Sequence, residues 1–240
     1  MDAFDLAAVC AHPDDAELAM GGTLAREAAR GRRVCLIDLT RGECGSRGTP
    51  ETRAAEAAEA ARILGAAHRE SLGLPDSRLH DCPEHKDAMV EALRRLRPRV
   101  VLLQHWRQRH PDHAAASRIV YAAAFLAGLR NYRPDLGPAF RPKKLVYAAT
   151  MTEANDIVPS FVVDVTPVWE TKQRAIAAFV SQFAPQAGET GVQPLDRFQE
   201  AVELSGRRHG QRIGVRYGEG FVTREPLVVE DLLALGGSSI

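Results

Sequence analysis

Short apolar runs alternate with longer stretches in which apolar residues recur every three or four positions, and this rhythm sets the first reading of the chain. Residues 4–10 and 34–39 read as the first two strands, and residues 100–103 form a continuous apolar run typical of a central strand. Residues 17–30 read as a helix ended by Gly31, and residues 51–64 as a helix opened by Pro50 and stopped by Gly65. A short strand over 68–72 precedes a turn at Pro75. Met89, Leu93 and Leu96 then make one stripe of an amphipathic helix over 84–96, and another helix runs over 111–129. Further on, 145–150 and 161–164 read as strands, 168–183 and 195–208 as helices, and 210–221 as a glycine-rich loop. Strands alternating with helices in this way predict an α/β fold, a Rossmann-like three-layer sandwich with a mostly parallel sheet and its active site at the C-terminal ends of the strands.

No repeat, low-complexity tract or linker divides the sequence, so residues 1–240 are expected to form a single domain. Lys and Arg (31) balance Asp and Glu (31), which argues against nucleic-acid or anionic-membrane binding but leaves room for a local basic pocket. The opening MDAFDLAAVCAHPDD lacks a basic leader and a long apolar run, and no stretch approaches the roughly 20 apolar residues of a membrane span. Cys10, Cys35, Cys44 and Cys82 show no CxxC spacing, and the first two sit inside strand-like runs as small hydrophobes. A cytoplasmic protein is predicted.

Two polar clusters fall where an α/β sheet binds ligands. His12-Pro13-Asp14-Asp15-Ala16-Glu17 directly follows the first strand, and His110-Pro111-Asp112-His113 lies a few residues beyond the 100–103 strand. A third, Thr40-Arg41-Gly42-Glu43, follows the second strand. Two imidazoles and a carboxylate make a normal catalytic zinc shell with water in the open position, and His12, Asp15 and His113 supply that set. Asp14 would then stand beside one Zn2+ per chain as an unligated carboxylate, free to take a proton from bound water. Read alone, an HPD segment is equally a helix N-cap, but two such clusters at corresponding strand ends point to a metal site. His68, His80, His85, His105 and His209 read as surface or packing residues.

AHPDDAE, TRGE and HPDH together resemble the LmbE-like, or PIG-L, family of zinc N-deacetylases, over nearly the whole length. TRGECGSRGTPETR, GLPDSRL, RPKKLVY, SQF and IGVRYGEGF are similar in particular to its bacillithiol-biosynthesis deacetylases, whose substrate is N-acetylglucosaminyl malate. The resemblance implies zinc on His12, Asp15 and His113, with Asp14 as general base. It implies that protonated His110 assists the oxyanion or the leaving group, that Arg53 binds substrate, and that Asp76 holds sugar hydroxyls. Glu43 and Arg109 become pocket members, and a homo-oligomer, such as a hexamer, is expected. Blander readings stay open: Arg53 as a solvated helix residue, Asp76 as a turn former, Glu43 as a loop tie, and Arg109 as the partner of a carboxylate. Family members can also present a tyrosine from the C-terminal third; the corresponding stretch here, GVQPLDRFQE, offers Phe198 instead.

The implied activity is hydrolysis of an N-acetyl group from an N-acetylglucosamine conjugate, giving acetate and a free amine. A related deacetylase of chitooligosaccharides is the nearest alternative. A nucleotide-binding Rossmann-like protein lacks support, because AHPDD replaces the GxGxxG turn and its acids would repel phosphate. A non-catalytic zinc protein would have no use for Asp14 and His110.

Overall fold

The computed structural model describes residues 3–149, 157–183, 194–234 and 236. Seven strands form one sheet in the order β3-β2-β1-β4-β5-β7-β6. β1 (Leu6–Cys10), β2 (Val34–Thr40), β3 (His68–Leu74), β4 (Val100–Gln104) and β5 (Lys144–Ala148) pair in parallel, while β7 (Gly218–Val222) runs antiparallel to both β5 and β6 (Phe161–Asp164). Strands β1 and β2 are buried throughout because both faces are covered. Along β1, Leu6, Ala8 and Cys10 enter one core, and Ala7 and Val9 enter the other.

The first core packs under α1 (Asp15–Ala29), α2 (Pro50–Leu64), α5 (Trp169–Ala177), α6 (Val180–Phe183) and α7 (Pro194–Gln211); the second lies under α3 (Pro83–Leu96) and α4 (Pro111–Ala127). Thus the sheet is the middle of three layers. The chain leaves β1 toward β2 on one side and returns through β4 on the other, so the strand order reverses between β1 and β4. Loops leaving the two strands there part to opposite sides and open a crevice. No described helix is long and apolar enough to cross a membrane.

Most predicted elements shift by a residue or two at their ends. The stretch 168–183 divides into α5 and α6, and Thr150 lies outside the described residues. The 210–221 stretch is the correction: its second half is β7, a strand inside the sheet. Gly218 and Gly220 hide it from any alternation rule. A Cβ on Gly218 would meet Val162 at 2.6 Å, and one on Gly220 would meet the His209 ring at 2.6 Å. Neighbouring side chains occupy the space that strand residues normally fill.

β7 also carries a buried charge. Glu219 accepts hydrogen bonds from the backbone N–H groups of Gly22 (2.9 Å) and Thr23 (2.7 Å), midway along α1. Its partner Lys172, on α5, donates to Glu219 at 2.6 Å and to the Leu18 carbonyl at 3.0 Å. Both side chains are 3% exposed, so each needs the other. Gly22 permits the approach, since a Cβ there would lie 2.7 Å from Val165. Removing one partner of a buried pair typically costs about 3–5 kcal/mol. Glu219→Gln is therefore expected to lower unfolding free energy by that order in a urea titration; a change below about 1 kcal/mol would show that the pair does not brace α1.

Candidate metal-binding active site

Ala11 is the pivot on which the first polar cluster hangs. Its carbonyl accepts from the Thr40 N–H (2.9 Å) and hydroxyl (3.0 Å), and its N–H donates to the Gln104 side chain (3.0 Å). The end of β1 is thereby fastened to the ends of both neighbours. The chain then turns sharply: the His12 N–H donates to Asp15 Oδ2 (2.8 Å), and Asp14, the N-cap of α1, takes the left-handed conformation at φ 101°. On the other side of the crevice, His110 caps α4, its Nδ1 accepting from the Asp112 N–H (3.2 Å).

These two turns bring His12, His110 and His113 together, with one ring nitrogen from each within 4.8 Å of the others. Asp15 sits between two of them, Oδ1 at 3.1 Å from His113 Nε2 and Oδ2 at 3.4 Å from His12 Nδ1. The far nitrogen of His12, Nε2, contacts Asp76 (3.1 Å) and Asp112 (3.3 Å). An imidazole whose outer N–H is held by carboxylates presents its inner nitrogen as a ligand, the usual anchoring around metal sites. His12 Nδ1, the Asp15 carboxylate and His113 Nε2 accordingly form a donor set that could hold a divalent metal, with His110 beside it. Burial opposes a charge on His12, yet Asp15, Asp76 and Asp112 raise its pKa to about 9. The carboxylates around this ring favour positive charge there, carried by the ring's own proton in the absence of a metal.

Asp14 is buried against Asp15, and desolvation together with that neighbour raises its pKa well above the usual carboxylate range. Arg53, 5% exposed, offsets this in part: it donates to Asp14 Oδ2 (3.2 Å), to the Pro13 carbonyl (2.5 Å) and to the Gly42 carbonyl (3.1 Å). It is neither a solvated helix residue nor an open cationic arm. It joins the first loop to the second and leaves only its buried Nε without a partner. Desolvation and the neighbouring His113 and His12 lower the pKa of His110, and its Nδ1 accepts from the Asp112 N–H, which leaves Nε2 to carry a proton.

The loop after β3 closes the site. Asp76 accepts from the Cys44 N–H (2.8 Å) through the oxygen that does not meet His12, and its own N–H donates to Glu43 Oε1 (2.8 Å). Glu43 is exposed and ties the two loops together. Arg109 is exposed and makes no ion pair with a described residue. Asp112 went unassigned in the sequence, where an acid in the first turn of a helix reads as a dipole partner. Here it is 2% exposed and accepts from the Ser77 N–H (2.7 Å) while contacting His12. Behind the site Arg69 grips Asp38 through two nitrogens (2.8 and 2.9 Å) and Glu17 at 2.6 Å, so the last acid of AHPDDAE serves the scaffold. Phe198 packs on Phe183 (ring centroids 5.1 Å apart), and Tyr217 stacks on Trp169 in the core; residues 191–193 lie outside the described residues.

A family model described as PIG-L, GlcNAc-PI de-N-acetylase, matches residues 7–124, which span both clusters. A 1D-myo-inositol 2-acetamido-2-deoxy-alpha-D-glucopyranoside deacetylase from Saccharopolyspora erythraea is 36% identical over 190 residues, 65% of this chain and 67% of that protein. The chain belongs to the PIG-L family. Another PIG-L relative, the diacetylchitobiose deacetylase of Thermococcus kodakarensis, is 29% identical over 220 residues, 87% of this chain and 79% of its own length. Other inositol-glycoside deacetylases are matched over only about 60% of their length. Among solved structures, the conserved protein TT1542 from Thermus thermophilus superposes with a TM-score of 0.85 at 42% identity, covering 95% of this chain and 98% of that one.

The strained, charged turn of this PIG-L chain has a measurable signature. A carboxylate whose pKa folding raises weakens the fold wherever it is ionised, and Asn tolerates the left-handed conformation. Asp14→Asn is thus expected to leave the melting temperature of metal-free protein unchanged or higher at pH 7. Asp14→Val, β-branched in that conformation, is expected to cost about 1–3 kcal/mol. Equal melting temperatures for the two variants would mean that the turn carries no strain.

Proposed function

We propose that this protein is a metal-dependent N-deacetylase of an N-acetylglucosamine conjugate. The observation that carries the reading is Asp14: a carboxylate kept out of the donor set, with a raised pKa, flanking that set while a neutral imidazole stands at its edge. A divalent ion, for which Zn2+ suits the two-His, one-carboxylate donors, would supply Lewis acidity to the water and the acetyl carbonyl when bound by His12, Asp15 and His113.

The chain's own residues do the rest. Asp14 accepts a proton from water as its oxygen attacks the acetyl carbon, and the raised pKa lets it hold that proton. His110 donates its Nε2 proton in a hydrogen bond to the oxygen that becomes negative. Asp14 then returns the proton to the nitrogen as the carbon–nitrogen bond breaks, releasing acetate and the amine. Asp76 and Asp112 keep His12 oriented, and Arg53 holds the turn that aims Asp14.

The finer reading is N-acetylglucosaminyl malate as substrate, in bacillithiol biosynthesis. Arg53 is committed to the loop, and Arg47 bonds the Gln182 carbonyl at 3.2 Å. Exposed Arg109, beside His110, and exposed Arg41 then remain as guanidinium groups for an acidic aglycone.

Two measurements test these assignments. His113→Ala should lose tight metal binding and acetate release together. Asp14→Asn should keep the metal while kcat falls about 10²- to 10⁴-fold; near-normal kcat would remove Asp14 from its role. For the substrate, acetate release from the malyl glycoside should exceed that from the methyl glycoside and from diacetylchitobiose. Salt should narrow the gap, and Arg109→Met should raise KM for the malyl glycoside alone. An equal response of all substrates would leave the deacetylase reading and discard the acidic aglycone.

A further inference from the structure

Asp76 and Ser77 enter the active site from the front of the segment joining β3 to α3. The back of that segment holds a different group of metal-ligating side chains. His80, Cys82 and His85 each place one donor atom, a ring nitrogen or the thiol sulfur, within 4.8 Å of the others. None of the three contributes to the centre around His12. We propose that they form a second metal site, for a borderline-soft divalent ion such as Zn2+, with the fourth position open to water.

Main-chain groups hold one nitrogen of each ring. His80 Nδ1 lies 2.8 Å from the Arg78 carbonyl, which can only accept, so Nδ1 carries the proton and Nε2 keeps its lone pair. His85 Nδ1 lies 3.2 Å from the His80 carbonyl and 3.4 Å from the His80 backbone N–H, which donates toward it. In the tautomer that donates to the carbonyl, Nε2 keeps the lone pair. Anchoring one ring nitrogen to a main-chain carbonyl is how metal-bound imidazoles are held in place. Contact between the two rings, 4.8 Å between centroids and steeply inclined, would account for a packed pair but not for the sulfur beside it.

The backbone holds the three residues at close range. Cys82 is the N-cap of α3, in extended conformation, with Pro83 starting the helix and His85 completing its first turn. The Cys82 N–H donates to the His80 carbonyl at 2.9 Å, which folds His80 back over the helix start. His85 is 6% exposed, Cys82 is half-buried and His80 is exposed, so the site has a fixed floor and an open mouth. Bonds of about 2.0–2.3 Å to tetrahedral zinc bring ligand atoms to about 3.5 Å apart. Closing to that separation needs shifts of about 1 Å, within reach of an exposed His80 side chain. Two nitrogens and a thiolate select zinc or cobalt over magnesium and calcium, which take oxygen ligands.

Cobalt distinguishes the two centres, because only the second contains sulfur. With Co2+, the wild-type protein should bind two ions per chain and show a near-ultraviolet thiolate-to-cobalt charge-transfer band. Cys82→Ser should lose the band and one ion while keeping its circular dichroism and acetate release. Cys44→Ser should keep both, and His113→Ala should lose the other ion and keep the band. Failure of the deacetylase reading would therefore leave the band untouched. If Cys82→Ser does not fold, His80→Ala should weaken Co2+ binding, followed by the band, at least tenfold. A folded wild-type protein without the band, a band that survives Cys82→Ser, or unchanged affinity in His80→Ala would overturn the proposal.

Discussion

The parallel pairing of β1 with β4 is the constraint on which the site depends. Leu6 to Val9 pair residue by residue with Val100 to Leu103, so two segments about ninety residues apart end side by side. Because strand order reverses at this pair, the chain beyond Cys10 and the chain beyond Gln104 diverge instead of running on together. Ala11, bonded to both Thr40 and Gln104, converts the pairing into a fixed direction for His12. Everything chemical follows from that direction: Asp15 reaches both His12 and His113, and His110 stands alongside them.

Such a site concentrates like charge, and the fold answers with buried arginines. Asp14, Asp15, Asp76 and Asp112 crowd one imidazole, while Asp38 and Glu17 lie below. Arg53 meets Asp14 and two loop carbonyls; Arg69 meets Asp38 and Glu17. Guanidinium groups suit this role because they stay charged when buried and bond several oxygens in one plane. The pairings bind α1, α2 and the loops after β1 and β2 into one block, at the cost of desolvating every member. They also explain why the chain's balanced net charge says little about the site: the acids gather at its centre, and part of the offsetting charge lies in its walls.

The same helix that begins at the site is gripped a second time from behind. Lys172 and Glu219 bond the middle of α1, about two turns beyond Asp15, and Gly22 makes room for them. A helix fixed at its first turn by Asp15 and at its centre by a buried ion pair has little freedom to pivot. Rigidity of this kind lets a short donor set keep its spacing while the loops around it accept a substrate.

Fold class, helix positions and the candidate residues of the site were written in local pattern. Apolar runs and caps marked β1 to β4 and α1 to α4, since each element answers to the period of its own residues. AHPDDAE and HPDH offered candidate ligands and a spare carboxylate, because metal chemistry restricts residue types wherever the chain places them. What tertiary structure decided was partnership. Asp112 became an anchor of His12, Arg53 a buried tie and not an open arm, and Glu43 a link between loops, all through neighbours distant in sequence. β7 was invisible because its glycines are selected by the space that Val162 and His209 leave, and no pattern within the strand records that space. His80 and His85 read separately as surface or packing residues and Cys82 only as a cysteine without CxxC spacing; the turn before α3 sets them in one cluster. Residue type fixes what a group can do, and the packing of remote segments fixes what it meets.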